Sequence, residues 1–393
     1  MNQYDAALNA EGLEPAPAAG FEIAFLPWLG MNREMTAGPV AFSPLQVQAV
    51  QDPEVREYLD RYLPRYREVD GGPVELVVVA RHEGVTGFRY HTANEQIDLI
   101  RATSVLALAM IAKAQILRTL HNNQRPAPNA DSFQLIFQRF TARSDYVGVT
   151  AGRWTHTWPL DQVNFTRPWT AVAVHGDEDS HLLEAMGNLL RGRCEVRPEL
   201  ANRIWRSVEW FRLAHLDGAE QPDATKLMTM ATAFESLLDL PDFDKQAEFA
   251  NRIQGLVYDN HIRRDVRRRR SGRELDLSLA GCWAWDFYGI RSRLIHGEEV
   301  PGADFRIATG APHLLAADLV FRECLLRQLF ELVCFGAEIH ESAGIMERAV
   351  ADFPEGPEPF DPLEWAINNH LQFDRIHEAL GWSERPAPPE AEQ

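Results

Sequence analysis

Residues 286–297 read DFYGIRSRLIHG, and this stretch restricts the fold of the chain more than any other. Apolar residues recur through and just before it at helical spacing: Trp283, Phe287, Ile290 and Leu294. Such a stripe is typical of a helix that buries one face. Gly297 suits the left-handed conformation that ends a helix. The sequence therefore predicts a core helix, called the motif helix here, that ends at His296.

The motif helix also has a second face, which carries polar chemistry. Arg291 flanks the apolar stripe, and His296 lies about 140° further round, because helices advance about 100° per residue. The side chains between them are Tyr288, Ser292 and Ile295. An Arg can hold a phosphate, and a His can transfer protons near neutral pH. The simpler interpretation is a solvated Arg291 and a His296 that only caps the helix, where the backbone dipole favours its charged form.

Arg–His pairs separated by four to six residues carry little information on their own. With 13 His and 36 Arg in 393 residues, about three or four such pairs are expected by chance. Two occur, Arg291…His296 and Arg306…His313. The second crosses Gly310, in a composition typical of loops. Only the first pair has a structural context, so only it is a candidate site.

The sequence around Arg291 resembles the signature helix of the HEPN superfamily (higher eukaryotes and prokaryotes nucleotide-binding), most of all its Apea-like branch. The segment YGIRSRLIHGEE is similar to the family pattern Tyr-x-x-Arg-Ser-x-aliphatic-aliphatic-His-Gly. Three other segments resemble the family's neighbouring helices: 229–240, 249–257 and 313–330. The resemblance covers about 200–336, under half of the chain. It implies a helical bundle that acts on RNA.

The resemblance implies roles for individual residues. HEPN ribonucleases cleave RNA without metal: the ribose 2′-hydroxyl attacks the adjacent phosphate and leaves 2′,3′-cyclic phosphate and 5′-hydroxyl ends. His296 would act as general base or acid, and Arg291 would stabilise charge on the phosphoryl oxygens. Ser292, Glu235 and Tyr288 would support this pair. For Glu235 the simpler interpretation is a surface or interhelical salt-bridge residue.

The resemblance also implies partners. HEPN nucleases usually act as dimers, and a twofold pair of motif helices could bring two Arg and two His into one cleft. Tyr288 and Ile295 would supply apolar contacts in this homodimer. RNA is the expected substrate, and a role as a toxin or in phage defence would add an antitoxin or a trigger protein. The alternative is a HEPN module that binds RNA, a nucleotide or a protein without turnover.

A run of seven Arg residues precedes the motif helix in a chain whose net charge is −18. The acidic whole argues against non-specific nucleic-acid binding by the entire surface, so a local basic patch is the best candidate for contacting an RNA backbone. The alternative is a solvated interhelical loop whose Arg residues pair with surplus carboxylates. The seven are Arg263, Arg264, Arg267, Arg268, Arg269, Arg270 and Arg273.

Length and composition predict an α+β chain with two domains. We predict a poorly ordered segment over 1–20, a mixed α/β domain with a β-sheet and a sensing or recognition role over 21–176, an all-α HEPN-like bundle over 177–345, and an acidic Pro-rich linker with a terminal helix over 346–393.

Residue types and their spacing give the individual elements. Strands are predicted over 75–82, 88–91, 133–140, 146–150 and 169–175. Helices are predicted over 94–120 with Asn94 as N-cap, and then over 181–192, 199–216, 223–239, 245–258, 280–296, 313–336 and 363–380.

No cofactor or metal is predicted. The chain lacks a Walker loop, a dinucleotide-binding Gly pattern and a His-Glu-x-x-His motif. Its four Cys are scattered without the short spacing of a zinc site, and Cys282, Cys324 and Cys334 are predicted as small core residues, as in a reducing cytoplasm. The amino terminus lacks signal-peptide regions, and the apolar stretch 105–112 is too short to span a bilayer. We therefore expect a cytoplasmic, bacterial protein without membrane contact.

Overall fold

The computed structural model describes residues 20–31, 33–85, 87–121, 128–141, 145–151, 154–171, 178–217, 221–257, 265–268, 272, 274–307, 309–336, 339–341, 363 and 373–382. Over these residues the chain combines helices with mainly antiparallel sheets. The broad expectation of a mixed chain is therefore confirmed. The segment 1–20 was predicted as poorly ordered, and 346–393 as a linker with a terminal helix. Most residues of both segments lie outside the described residues.

The strands form one larger sheet and three small ones. In chain order they are β1 (Gly20–Leu26), β2 (Met35–Ala37), β3 (Val40–Pro44), β4 (Tyr66–Arg67), β5 (Val78–His82), β6 (Ile136–Thr141), β7 (Tyr146–Ala151), β8 (Trp154–Pro159), β9 (Phe165–Thr166), β10 (Asp265–Arg268) and β11 (Glu274–Leu277). The five-stranded sheet is antiparallel, in the order β2-β3-β5-β1-β6. β7–β8 and β10–β11 are antiparallel pairs, and β4 pairs with β9 in parallel.

Helices dominate the second half of the chain. In order they are α1 (Pro53–Tyr62), α2 (Ala93–His121), α3 (Ser180–Leu190), α4 (Pro198–Ala214), α5 (Asp223–Leu238), α6 (Lys245–Leu256), α7 (Leu279–Ile295), α8 (His313–Glu331) and α9 (Phe373–Ala379). The helices α3 to α8 confirm the six predicted between 181 and 336, within a few residues at each end. α7 is the motif helix. The terminal helix predicted over 363–380 is described only at Leu363 and in α9.

Several local predictions are wrong. α2 begins one residue before Asn94, and Thr92 caps it: the Thr92 N–H donates to Glu95 at 2.7 Å, and the Glu95 N–H donates to Thr92 Oγ1 at 3.3 Å. No strand forms at 88–91 or at 169–171, and 172–175 lies outside the described residues. The region 177–345 is not purely helical, because β10 and β11 form a hairpin where an interhelical loop was predicted.

The interior strand β1, which lies between β5 and β6, was not predicted, and both of its faces are buried. Phe21, Ile23 and Phe25 pack with α1 in an aromatic cluster on one side of the sheet. Ala24 and Leu26 belong to a larger core on the other side. Alternating side chains of one strand therefore enter two different apolar clusters.

The larger core joins the sheet to the helices of the second half. α2 packs against β5 and also against α3, α4 and α8. Its residues 102–112 are all buried, which is typical of a helix surrounded by protein on every side. One apolar core therefore continues through α2 from the sheet into the bundle. The predicted domain boundary near 176 stays a prediction.

The structure contains a disulfide that the sequence did not indicate. Cys194 and Cys334 are bonded, with Cα atoms 4.7 Å apart, so the prediction of Cys334 as a simple core thiol is wrong. The bond ties the α3–α4 connection to the end of α8, where the Glu195 N–H also donates to the Leu332 carbonyl at 3.1 Å. Cys282 and Cys324 are free and buried, as expected. Among the described residues, no helix has the length and apolarity to cross a membrane.

Candidate active site

Helix α7 begins and ends with defined caps. The Ser278 hydroxyl accepts a hydrogen bond from the Gly281 N–H at 3.2 Å. At the other end Gly297 adopts the predicted left-handed conformation, with φ of 75°. The Gly297 N–H donates to the Leu294 carbonyl at 3.1 Å, and the Glu298 N–H donates to the Arg293 carbonyl at 3.0 Å, which together form a Schellman motif. The last turn of α7, which carries the candidate residues, therefore has a fixed backbone.

The apolar stripe sets the rotation of α7 in the bundle. Trp283, Phe287 and Ile290 are buried. The Phe287 ring packs edge-on against Phe234 of α5, with ring centroids 6.0 Å apart, and lies 6.1 Å from Phe249 of α6. These contacts turn Arg291 toward the α5–α6 side of the helix.

Arg291 is held by an ion pair. Its Nη2 lies 2.6 Å from Oε1 of Glu235, and the Arg291 side chain is 19% exposed. The Tyr288 hydroxyl donates to the same Glu235 oxygen at 2.7 Å. The Arg291 guanidinium also lies over the Tyr288 ring, 5.1 Å from its centroid, in a cation–π contact. Three residues on α5 and α7 thus form one connected group that fixes the guanidinium.

Tyr288 does not lie on an exposed face. It is 3% exposed, and its ring lies 5.3 Å from that of Phe249. The expectation that Tyr288 supplies apolar contact to a second copy is therefore wrong, whereas Ile295 is 51% exposed. Burial, and the hydrogen bond to Glu235, raise the pKa of Tyr288 above its ordinary value. Its hydroxyl therefore remains a proton donor to Glu235 at neutral pH.

Glu235 lies between two cations. Besides Arg291, Lys245 at the start of α6 lies 3.7 Å from the second carboxylate oxygen of Glu235. Glu235 is therefore an interhelical salt-bridge residue, and the same ion pair holds Arg291 in place. That this ion pair supports catalysis stays a prediction.

His296 is exposed at the end of α7. Its backbone N–H donates to the carbonyl of Ser292 at 3.1 Å, and the Ser292 side chain is partly buried. Within the described part of the chain, the His296 imidazole has no hydrogen-bond or ion-pair partner. The same helix end thus presents an anchored Arg291 and a solvent-accessible imidazole.

The predicted basic run borders α7. Arg267 of β10 lies 4.0 Å from Asp286 on α7, so this part of the run pairs with a carboxylate, and Arg268 lies in the same strand. The other members lie outside the described residues: Arg263, Arg264, Arg269, Arg270 and Arg273. The role of the run in RNA binding stays a prediction.

Sequence reasoning set aside the second Arg–His pair, and the structure brings its two members together. Arg306 and His313 both line an open cleft of about 360 Å³ beside α7. The spacing of Arg306 and His313 could have indicated a second candidate pair, but the loop composition of the segment between them argued against it. In the described ranges, no three or more His, Cys, Asp and Glu residues cluster closely enough to hold a metal ion.

Comparison with known proteins gives no match to any family model, curated protein or solved structure. The HEPN resemblance therefore stays a prediction.

Proposed function

We propose that this protein is a metal-independent endoribonuclease of the HEPN type. The observation that carries the proposal is the end of α7, where Arg291 is anchored by Glu235 and His296 is exposed. A phosphoryl-transfer site needs a fixed positive charge beside a group that can exchange protons with solvent and substrate. This helix end supplies both from residues five positions apart.

The reaction needs only side-chain chemistry. His296 removes the proton from a ribose 2′-hydroxyl, whose oxygen attacks the adjacent phosphorus. The bond from phosphorus to the 5′-oxygen of the next nucleotide breaks, and that oxygen takes up the proton that the protonated His296 returns as general acid. Arg291 stabilises the negative charge that develops on the phosphoryl oxygens. The products are a 2′,3′-cyclic phosphate and a 5′-hydroxyl.

A second copy of the chain completes the proposed site. Arg291 and His296 leave α7 about 140° apart, so one helix alone presents them to different sides. An isologous contact between two α7 ends would place both residue types around one cleft. The exposed Ile295 supplies apolar surface at this contact, and the run of Arg residues that precedes α7 in sequence supplies positive charge for the RNA backbone.

The test is cleavage of a labelled single-stranded RNA by the full chain in the presence of EDTA. We expect products with 2′,3′-cyclic phosphate ends, and a loss of rate of about 10²–10⁴-fold in His296→Ala. His82→Ala, in strand β5 of the sheet, is the matched control and should cleave like the wild type. Equal rates in wild type and His296→Ala would refute the proposal, as would wild type that leaves varied RNAs intact.

The alternative is a module that binds RNA, a nucleotide or a protein without turnover. The ion pair between Arg291 and Glu235 favours it, because that contact occupies part of the guanidinium. In this case wild type and His296→Ala would bind RNA equally, and neither would form product.

A further inference from the structure

The cleft beside α7 lies on the flank of the helix away from Arg291. Asp286, Gly289, Ile290 and Arg293 form its α7 wall. These positions are centred about 150° from Arg291 around the helix. The connection after α7 and the start of α8 complete the wall with Asp304, Arg306 and His313, and α6 contributes Gln246. The cleft is therefore distinct from the Arg291–Glu235 group while sharing its helix.

His313 lines the cleft and leaves one buried nitrogen unsatisfied. It is 4% exposed, and its Nδ1 is buried without a hydrogen-bond partner among the described residues. Leaving such a group unsatisfied costs about 1–3 kcal/mol, so native structures rarely do so without a reason. Burial lowers the pKa of His313 to about 4, against a partly opposing effect of Asp304. The imidazole is therefore neutral at neutral pH and gives no charge to attract an anion.

Three further polar groups are each fixed by one contact. Asp304 Oδ2 lies 2.8 Å from Arg293 Nη1. The Gln246 amide donates from Nε2 to the Trp285 carbonyl at 2.9 Å, so Oε1 is its acceptor atom. Arg306 donates from Nη1 to the Gly310 carbonyl at 2.7 Å. In the described part of the chain, Asp304 Oδ1, Gln246 Oε1 and the remaining Arg306 N–H groups have no partner. The cleft thus offers two fixed acceptors and one planar donor group.

On the α7 side the cleft is lined by a glycine and an apolar side chain. Gly289 allows the Gln246 amide to approach, because a Cβ at this position would lie 3.0 Å from Gln246 Nε2. Ile290 beside it presents an apolar surface. Two Arg and two Asp residues line the cleft, so their charges balance, and a free phosphate would gain little. A planar ring with donors and acceptors along its edge fits this lining better.

Guanine matches these groups among the four bases of RNA. Its N1–H and its amino group are neighbouring donors, suited to the two acceptors, and its O6 and N7 accept from an Arg. Uracil has no amino group, and adenine and cytosine lack the second adjacent N–H. We propose that this cleft is a guanine-binding subsite. That the guanine belongs to an RNA substrate rests on the proposed function, whereas binding of the base itself does not.

The test is calorimetric titration of the full wild-type chain with GMP, AMP, CMP and UMP, which share ribose and phosphate and differ only in the base. We expect GMP to bind at least about tenfold more tightly than UMP, and Arg306→Ala and Asp304→Asn each to weaken GMP about tenfold or more. Arg206→Ala, exposed on α4, is the matched control and should bind GMP like the wild type. Circular dichroism checks that each variant is folded.

Three outcomes overturn the subsite: equal affinity for all four nucleotides, preference for another base, or GMP affinity unchanged in both Arg306→Ala and Asp304→Asn. The subsite and the proposed function fail separately. RNA cleavage without GMP discrimination would refute only the subsite. GMP discrimination in a chain that cleaves no RNA would refute only the ribonuclease.

Discussion

Replacing Tyr288 with Phe removes one oxygen atom from the group that fixes Arg291. That hydroxyl is buried and donates to Glu235 at 2.7 Å. A hydrogen bond to a charged group contributes about 1.5–3 kcal/mol to stability. Glu235 keeps its contacts with Arg291 and Lys245 in the variant. We therefore expect Tyr288→Phe to lower the free energy of unfolding by about 1–2 kcal/mol, toward the lower end of that range.

The measurement is urea unfolding of the full chain followed by tryptophan fluorescence. The midpoint should fall while the dependence on urea concentration stays constant, because little surface changes. Tyr58→Phe is the matched control. The Tyr58 hydroxyl is also buried but has no hydrogen-bond partner among the described residues. Removing it should be neutral or slightly stabilising, since no contact is lost.

A double-mutant cycle tests whether the effect arises at Glu235. Tyr288→Phe and Glu235→Gln should together cost less than the sum of the two single changes, with a coupling of about 1 kcal/mol. If Tyr288→Phe and Tyr58→Phe change stability equally, or if the coupling is near zero, the reasoning about this group is refuted.

Three further predictions follow from single contacts. Burial raises the pKa of Glu22, but hydrogen bonds from His91 and Arg139 outweigh this effect and lower the pKa to about 2. The contribution of Glu22 to stability should therefore be complete above about pH 4.5 and fall by on the order of 3 kcal/mol toward pH 2. Urea unfolding should show an acid-induced decline that is smaller by about this amount in Glu22→Gln than in the wild type, because other carboxylates such as Glu95 also lose stability there. Reducing the Cys194–Cys334 disulfide, which closes a long loop, should lower the free energy of unfolding by about 2–4 kcal/mol, measured by thermal unfolding with and without reductant. If Cys194→Ser, which cannot form the bond, responds to reductant as the wild type does, this prediction is wrong. Gly297→Ala should lower the free energy of unfolding by about 1 kcal/mol, because the backbone at Gly297 has a positive φ. Gly302→Ala should lower it less, since Gly302 does not have a positive φ and its added Cβ would meet no other atom.

The helices of the second half could be predicted because their signals are local. Each has an apolar stripe at helical spacing and a residue that begins or ends it, such as Pro198 at the first position of α4 or Gly297 after α7. The strands could not be predicted as well, because pairing is decided by distant segments. β1 pairs with β5 and β6 and is buried on both faces, so it shows no apolar–polar alternation. Trp169 looked like part of a strand and is instead 70% exposed outside one.

The candidate site shows the same difference between features set by local sequence and features set by contacts with distant segments. Spacing alone located the helix end at Gly297 and the separation of Arg291 from His296. Spacing could not predict that Tyr288 is buried. A helical wheel gives the direction of the Cα–Cβ bond, whereas the packing of a large aromatic side chain also depends on its neighbours. That packing depends on Phe249 of α6, which the spacing within α7 does not contain. The Cys194–Cys334 bond could not be predicted from the sequence either, since 140 residues separate the two cysteines.

Helix α2 has a consequence for any attempt to divide the protein. It lies in the first half of the sequence but packs against α3, α4 and α8 of the second half. A fragment starting at 178 would leave the surfaces of α3, α4 and α8 that contact α2 open to water, and such a patch favours aggregation. A transplant of the bundle onto another protein would therefore have to carry α2 along, or supply a substitute helix of equal length and apolarity.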